Sequence, residues 1–377
     1  MRVLHVMECT IGGTRRHLVD VAAGQRVRGL DVALAVSSLR QPSFEVDLVR
    51  LERLGVRVHR VRMVRGLRPF TDARHLAELR RVVRSESPDV VHTHSSKGGA
   101  LGRLASVLED RGGRVHTPHT FAFLFGAMFS APQRALFRAI ETGLSAHTSR
   151  VIAVSPSEGR TIAACGVVEA SRVRVVTNGI DPAPWLAARA APRSELAEDT
   201  RGRIALVVGL LNAAKGQDLL LAALARPGLE RLSVAFAGSG EDEVRLKRIC
   251  AGLGLARRVR FLGFREDVPA LLAAADFLVL PSRWEGMPYA VLEAMAAAKP
   301  VVATPVDGAI DLVQRGATGE IAAAIGVHEL ADALCTQLGR SDAEAREQGR
   351  RAREQLVARH TIEAMVRGLE AVYREAT

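Results

Sequence analysis

The stretch PSRWEGMPYAVLEAMA at 281–296 places two carboxylates, Glu285 and Glu293, on either side of a turn rich in backbone N–H groups. It follows the apolar run DFLVLPS at 276–282. Pro288 is suited to begin the next helix, since the first helical turn has no use for its missing N–H. Gly286, Met287, Tyr289 and Ala290 then offer amides at a helix start, where free N–H groups and the dipole favour an anion such as phosphate. A carboxylate on each side of that phosphate accepts hydrogen bonds from diols, one from a sugar and one from a ribose. The constellation suits a nucleotide sugar, although spacing alone would equally describe a loop charge and an exposed helix glutamate.

Lysine is scarce, occurring only at 97, 215, 247 and 299 among 52 basic residues. Lys215-Gly216 follows a strand-like run, where an ammonium would meet a bound anion. Lys97-Gly98-Gly99 follows another, so it would greet an anion on an acceptor or simply solvate a helix start. His92, His94, His116 and His119 cluster in sequence, and residues two apart on a strand share a face. Their spacing fits no zinc-ligand pattern and Asp89 is the one nearby acid, so no metal is expected. FAFLFGAMF, Phe121 to Phe129, concentrates aromatic residues including Phe121 and Phe125. It reads either as an acceptor loop touching lipid, with Arg134 and Arg138 for lipid phosphates, or as core. AGSGEDE at 237–243 begins like a dinucleotide turn, but Glu243 stands at the third glycine position, which weakens a nicotinamide reading. Cys9, Cys165, Cys250 and Cys335 form no C-x-x-C pair and read as small buried hydrophobes.

The elements that must hold these residues alternate along the chain. RVLHVM at 2–7, VALAVS at 32–37, VRVHRV at 56–61, DVVHTH at 89–94, RVIAVS at 150–155 and VRVVTN at 173–178 are separated by helical patterns. RIALVVG at 203–209, SVAFAG at 233–238, VRFLG at 259–263, DFLVLPS and PVVATP at 300–305 repeat the alternation. That is the signature of parallel α/β sheets, two doubly wound units in tandem. The Pro- and Ala-rich stretch around 181–200 breaks both periodicities and predicts the hinge. SDAE at 341–344 is a capping box opening a helix to about Ala358. A further apolar periodicity runs from Ile362 through Met365, Val366, Leu369 and Val372.

With 377 residues, 48% hydrophobic and 25% charged, the chain has room for two or three cores and is no disordered segment. No run approaches a membrane span and no signal peptide is visible at the start, which points to the cytoplasm. The net charge of +11 suits anionic partners. Aromatics at 4% with dispersed arginines argue against nucleic acid.

The segment from Ser282 to Ala322, with Glu285 and Glu293 in an E-x7-E pair and then KPVVATPVDGAIDLV and TGEIA, resembles the nucleotide-sugar site of glycosyltransferase family 4. VVGLLNAAKGQDLLLAAL at 207–224 is similar to the family's diphosphate loop, VRVVTNGID at 173–181 to its interdomain turn, and Gly12-Gly13 to its glycine loop. The resemblance implies a GT-B fold: two Rossmann-like domains facing across a cleft, residues 1–182 plus 361–377 and residues 183–360, with the terminal helix crossing back to the first. It implies a retaining transferase that needs no metal or other cofactor. Its donor side would comprise Gly12, Gly13, Arg16, Asn178, Gly209, Lys215, Gly238, Arg265, Glu285, Gly286, Met287, Pro288, Tyr289 and Glu293. Lys215 and Glu285 would act on the reacting groups, as would His119, whose neighbour Thr120 stands where the family commonly has glycine. His94, Lys97, Phe121 and Phe125 would face the acceptor. One departure is clear: the family usually has an arginine five residues before the lysine, and here that position is Leu210. A substitute cation is expected among Arg15, Arg16 and Arg283, with Arg16 favoured.

The implied reaction moves a hexose or N-acetylhexosamine from a nucleotide sugar, a UDP-sugar by expectation, to a glycan or lipid-linked acceptor, as in surface polysaccharide synthesis. Peripheral contact with the inner face of the membrane would follow. Two alternatives stay open: an epimerase acting on the donor alone, and transfer to a small natural-product acceptor. Nothing in the sequence sets the oligomeric state.

Overall fold

The computed structural model describes residues 1–126 and 128–377, leaving Ala127 aside. The chain forms two units, Met1–Asn178 with Ile362–Thr377, and Gly179–Thr361. The changeover falls at 178/179 and 361/362, against 182/183 and 360/361 from sequence. The Pro- and Ala-rich stretch begins just after the first changeover. It carries two one-turn helices, Ala183–Leu186 and Arg193–Leu196, and Trp185 and Leu196 are buried in the second unit.

The first unit is a parallel sheet of β1 (Arg2–Met7), β2 (Asp31–Val36), β3 (Arg57–Arg60), β4 (Val90–His94), β5 (Gly113–Thr117), β6 (Arg150–Ala153) and β7 (Val173–Val175). Its order is β3-β2-β1-β4-β5-β6-β7. The second contains β8 (Arg203–Val208), β9 (Leu232–Ala237), β10 (Val259–Gly263), β11 (Phe277–Leu280), β12 (Val301–Ala303) and β13 (Gly319–Ile321). These also pair in parallel, in the order β10-β9-β8-β11-β12-β13. The alternation thus found most strands and missed β5 and β13. β5, GRVHT, interleaves polar residues with one valine, and β13 is three residues long, so neither shows an apolar run. In each sheet the order reverses once, between β1 and β4 and between β8 and β11. Ligands of open parallel sheets bind beyond the carboxyl ends of strands at such a reversal.

Apolar side chains fill both faces, as parallel sheets require. In the first unit Met365, Val366, Leu369, Val372 and Tyr373 of the helix Ile362–Ala376 join the core built on β1, β2 and the helix Gly12–Val27. Arg28 clasps Glu370 through two nitrogens on the same interface. The capping box is present, with the Glu344 N–H donating to Ser341 Oγ and the Ser341 N–H to Glu344 Oε2, and its helix runs Asp342–Arg359. Of the four free cysteines only Cys250 is fully buried, the others being half-buried. Among the described residues no helix is long and apolar enough to cross a membrane.

Candidate functional site

In the second unit the loops after β8 and β11, on either side of the reversal, are hydrogen-bonded into one assembly. The Arg283 N–H donates to Ala214 O at 2.8 Å and its Nη1 to Ala213 O at 2.9 Å. Across this join Lys215 Nζ donates to Glu285 Oε1 at 2.7 Å, and Ser282 Oγ donates to the same oxygen at 2.7 Å. Glu285 is thereby fixed in direction. The helix Tyr289–Ala296 starts just beyond, and Pro288 sits at its N-cap with extended backbone rather than in its first turn as the sequence suggested. Met287, Pro288 and Tyr289 are buried, while Gly286 and Glu293 are half-buried. Two buried acceptors in the lysine loop, Asn212 Oδ1 and Gln217 Oε1, have no hydrogen-bond partner among the described residues.

The strand-end glycines hold this loop cluster together. A Cβ on Gly238 would lie 1.8 Å from Gly209 O. Leu211 N also donates to Ser239 O at 3.0 Å. Gly209 and Gly238, predicted to face the donor, thus also join the loops after β8 and β9 backbone to backbone. Arg265, predicted near the base, is held by Asp267 at 2.6 Å and Glu195 at 3.1 Å. These two carboxylates raise its guanidinium pKa. Leu210 places no charge beside Lys215. Of the proposed substitutes, Arg283 forks onto Asp218 at 2.8 and 2.9 Å. Arg15 spends its three nitrogens on Asp47 and Ser43, which assigns it to holding the helix Phe44–Arg53. Arg16 Nε binds Asp20 at 2.6 Å.

In the first unit Gly12 and Gly13 open the helix Gly12–Val27 directly after β1. The parallel register pairs His5 with His92 and Met7 with His94, so His5, His92 and His94 share one face of the sheet. Buried His17 and half-buried His119 complete an array, with ring centroids 4.8 Å apart for His17–His119 and 4.1 Å for His92–His94. Burial pushes His5 and His17 down to about 4 and the pKa values of His92, His94 and His119 well below the usual imidazole range. These rings are neutral at neutral pH. His116 stands apart, its ring 2.5 Å from where a Cβ on Gly99 would be.

His119 and Thr120 both have left-handed backbone, φ 51° and 72°. Consecutive residues rarely adopt that conformation without glycine. Glu158, fully buried, stabilises the turn: one carboxylate oxygen accepts from the Thr120 N–H and the other from the Val154 N–H, each at 2.6 Å. Thr120 thus does without the family's glycine because a buried acid clamps its amide.

Several expected acceptor-side groups are placed otherwise. Phe121 and Phe123 stack at 5.0 Å inside a core with Val151 and Ile162, so Phe121 is a packing residue. Phe125 is half-buried and Leu124 exposed; Ala127 of the same stretch lies outside the described residues. Arg138 covers the Phe123 ring and donates to Cys165 O. Lys97 Nζ is engaged by Asp72 at 2.5 Å and largely buried. His94 is an interior member of the histidine array. Asn178, predicted on the donor side, is buried with its Oδ1 2.9 Å from His17 Nδ1. Sequence reasoning missed His5, His17 and Glu158 altogether, because only strand pairing and helix packing bring them to His94 and His119.

Residues 11–184 match the model of Glycosyltransferase Family 4, and residues 189–355 match that of Glycosyl transferases group 1. Bacillus subtilis EpsD, described as a putative glycosyltransferase, is 32% identical over 270 residues, covering 67% of this chain and 68% of that protein. The chain belongs to glycosyltransferase family 4. A second relative, at 31% identity over 257 residues, is an Escherichia coli UDP-Gal:alpha-D-GlcNAc-diphosphoundecaprenol alpha-1,3-galactosyltransferase, of which the chain spans 65%. Among solved structures, Anabaena HepE in complex with UDP and glucose superposes with a TM-score of 0.81 at 22% identity, covering 99% of each chain. This likeness establishes the GT-B fold for this family 4 chain. Both sheets and the returning C-terminal helix conform to it.

Proposed function

We propose that the chain is a retaining glycosyltransferase moving a hexose or N-acetylhexosamine from a UDP-sugar to a glycan or lipid-linked acceptor at the inner face of the membrane. The observation that carries the reading is the Lys215–Glu285–Ser282 cluster beside the N-terminus of the helix Tyr289–Ala296, at the reversal of the second sheet. Such a helix start binds anions, and the matched relative's name specifies a UDP-sugar and a lipid-diphosphate acceptor. In this reading the amides of residues 286–290 and the Lys215 ammonium take the diphosphate. Glu285 orients the sugar hydroxyls and Glu293 holds the ribose. Transfer passes through an oxocarbenium-like state while charge builds on the departing phosphate. That phosphate oxygen accepts the acceptor's proton on the same face, so no metal is required. A covalent glycosyl-enzyme trapped on any side chain would contradict this route.

Arg16 is our choice for the second cation. Arg16→Ala is expected to lower kcat/KM by roughly tenfold, the scale of one exposed charge contact, while Arg15→Ala leaves it nearly unchanged and lowers stability. Full turnover in the Arg15, Arg16 and Arg283 alanine variants alike would remove the idea of a substitute. The donor is tested by thermal shift across UDP-, GDP-, ADP- and TDP-sugars, since a ligand selective for the native state raises the apparent Tm with its affinity. A shift for UDP-sugars, with product formed only when acceptor is added, is expected. Conversion of the donor alone would show an epimerase instead.

A further inference from the structure

We propose that His17, His94 and His119 form a zinc-binding site and that zinc bound there withdraws His119 from the sugar. The binding itself stands on the geometry below, whereas its effect on transfer rests on the donor reading above together with the role toward the reacting groups that the family resemblance implies for His119. One ring nitrogen from each of the three lies within 4.8 Å of the others.

Hydrogen bonds fix which nitrogens carry lone pairs. Gln25 Nε2 donates to Tyr373 Oη at 3.1 Å, so Gln25 Oε1, 2.8 Å from His5 Nε2, is the acceptor there. His5 then carries its proton on Nε2, and its Nδ1 accepts from His94 Nε2 at 3.0 Å. His94 Nδ1 is left as a lone pair. On the other side Asn178 Oδ1 accepts from His17 Nδ1. His17 Nε2 is therefore a second lone pair, and it is buried with no hydrogen-bond partner among the described residues.

The same accounting eliminates the neighbouring triad of His5, His92 and His94. Tyr373 Oη lies 2.7 Å from His92 Nδ1 and Thr117 Oγ1 2.8 Å from His92 Nε2, so His92 has no lone pair to give. His5 is likewise occupied at both nitrogens.

The third ligand is His119, whose Nε2 stands 3.3 Å from His94 Nδ1. That is long for a hydrogen bond between imidazoles. With zinc–nitrogen bonds of about 2.0–2.1 Å, two ligands of a tetrahedral ion sit about 3.3–3.4 Å apart. Binding requires the His119 proton to move to Nδ1, leaving Nε2 for the metal. His94 and His17 already donate their other N–H to His5 and Asn178, the orienting arrangement metal-bound imidazoles use. Three neutral imidazoles leave the fourth position to water.

The experiment is calorimetric titration of zinc chloride into the chelator-stripped full chain, with cobalt(II) as a spectroscopic reporter. One zinc per chain is expected, together with the intense visible absorption of tetrahedral cobalt, which needs no variant to fold. His17→Gln and His119→Gln should weaken binding by on the order of 100-fold or more, while His147→Ala and His328→Ala, at exposed positions, leave it intact. No stoichiometric binding, or equal binding by His17→Gln and His119→Gln, would overturn the site. In the transfer assay zinc should inhibit the wild type reversibly, relieved by chelator, and not inhibit His17→Gln. Zinc bound without inhibition would overturn the withdrawal of His119. A chain that binds zinc but gives no heat with any UDP-sugar would support the site and refute the donor reading.

Discussion

Lys215→Ala is expected to lower kcat by roughly 10²–10³-fold, the scale of losing one preorganised charge contact to a developing anion. The loss should fall on kcat more than on KM, because charge on the diphosphate grows as the sugar bond breaks. Two features make the effect large. Leu210 leaves the loop without the family's usual second cation, and Glu285, itself held by Ser282, fixes the ammonium in place. Lys215→Arg should not rescue, since a planar fork cannot replace a compact ammonium bound to one carboxylate oxygen. Steady-state kinetics with the donor found by the panel measures this. A variant retaining more than about half of wild-type kcat would exclude Lys215 from diphosphate departure.

Acidification from pH 6.5 towards 5 should destabilise the first unit steeply. His5 and His17 titrate near 4 when folded against 6.5 when exposed. Above pH 6.5 both states are neutral at these positions, so stability is flat. Below it the unfolded chain takes up protons that the folded chain refuses, and stability falls until the pH reaches the folded values. Such a shift corresponds to roughly 3 kcal/mol for one histidine across the window. Coupling between adjacent rings makes their contributions non-additive, yet the direction is common to all five. Denaturant unfolding at pH 7.5, 6.5 and 5.5 should show the midpoint falling only below 6.5. A constant midpoint from 7.5 to 5.5 would mean that the array is solvated or already protonated.

Periodicity was enough to reveal two doubly wound units, since buried parallel strands are apolar runs. It could not show β5, whose polar residues serve the interior network and the turn to His119. Nor could it show that the stretch at 181–200 buries Trp185, because proline and alanine mark a break in periodicity and say nothing of burial. The Lys215 and Glu285 loops were legible because each lies within a few residues of a strand end, and the resemblance gave them roles. That they share one carboxylate oxygen was not. Phe121, Lys97 and Asn178 show the converse: residue types suited to a ligand, taken up instead by core, Asp72 and His17. The histidine array assembles over long separations, 89 residues between His5 and His94, and is tied through His92 to Tyr373, 281 residues away, which no local spacing records.

The central claim is that the second unit grips the diphosphate of a UDP-sugar through Lys215, Glu285 and the start of the helix Tyr289–Ala296. Isothermal titration of UDP-glucose, UDP-galactose and UDP itself into wild type, Lys215→Ala and Glu285→Gln tests it most directly. The account predicts one site per chain in wild type, a loss of affinity for UDP and UDP-sugars alike in Lys215→Ala, and a loss confined to the sugar nucleotides in Glu285→Gln. No heat from any UDP compound in wild type, or equal affinities across the three proteins, would contradict it.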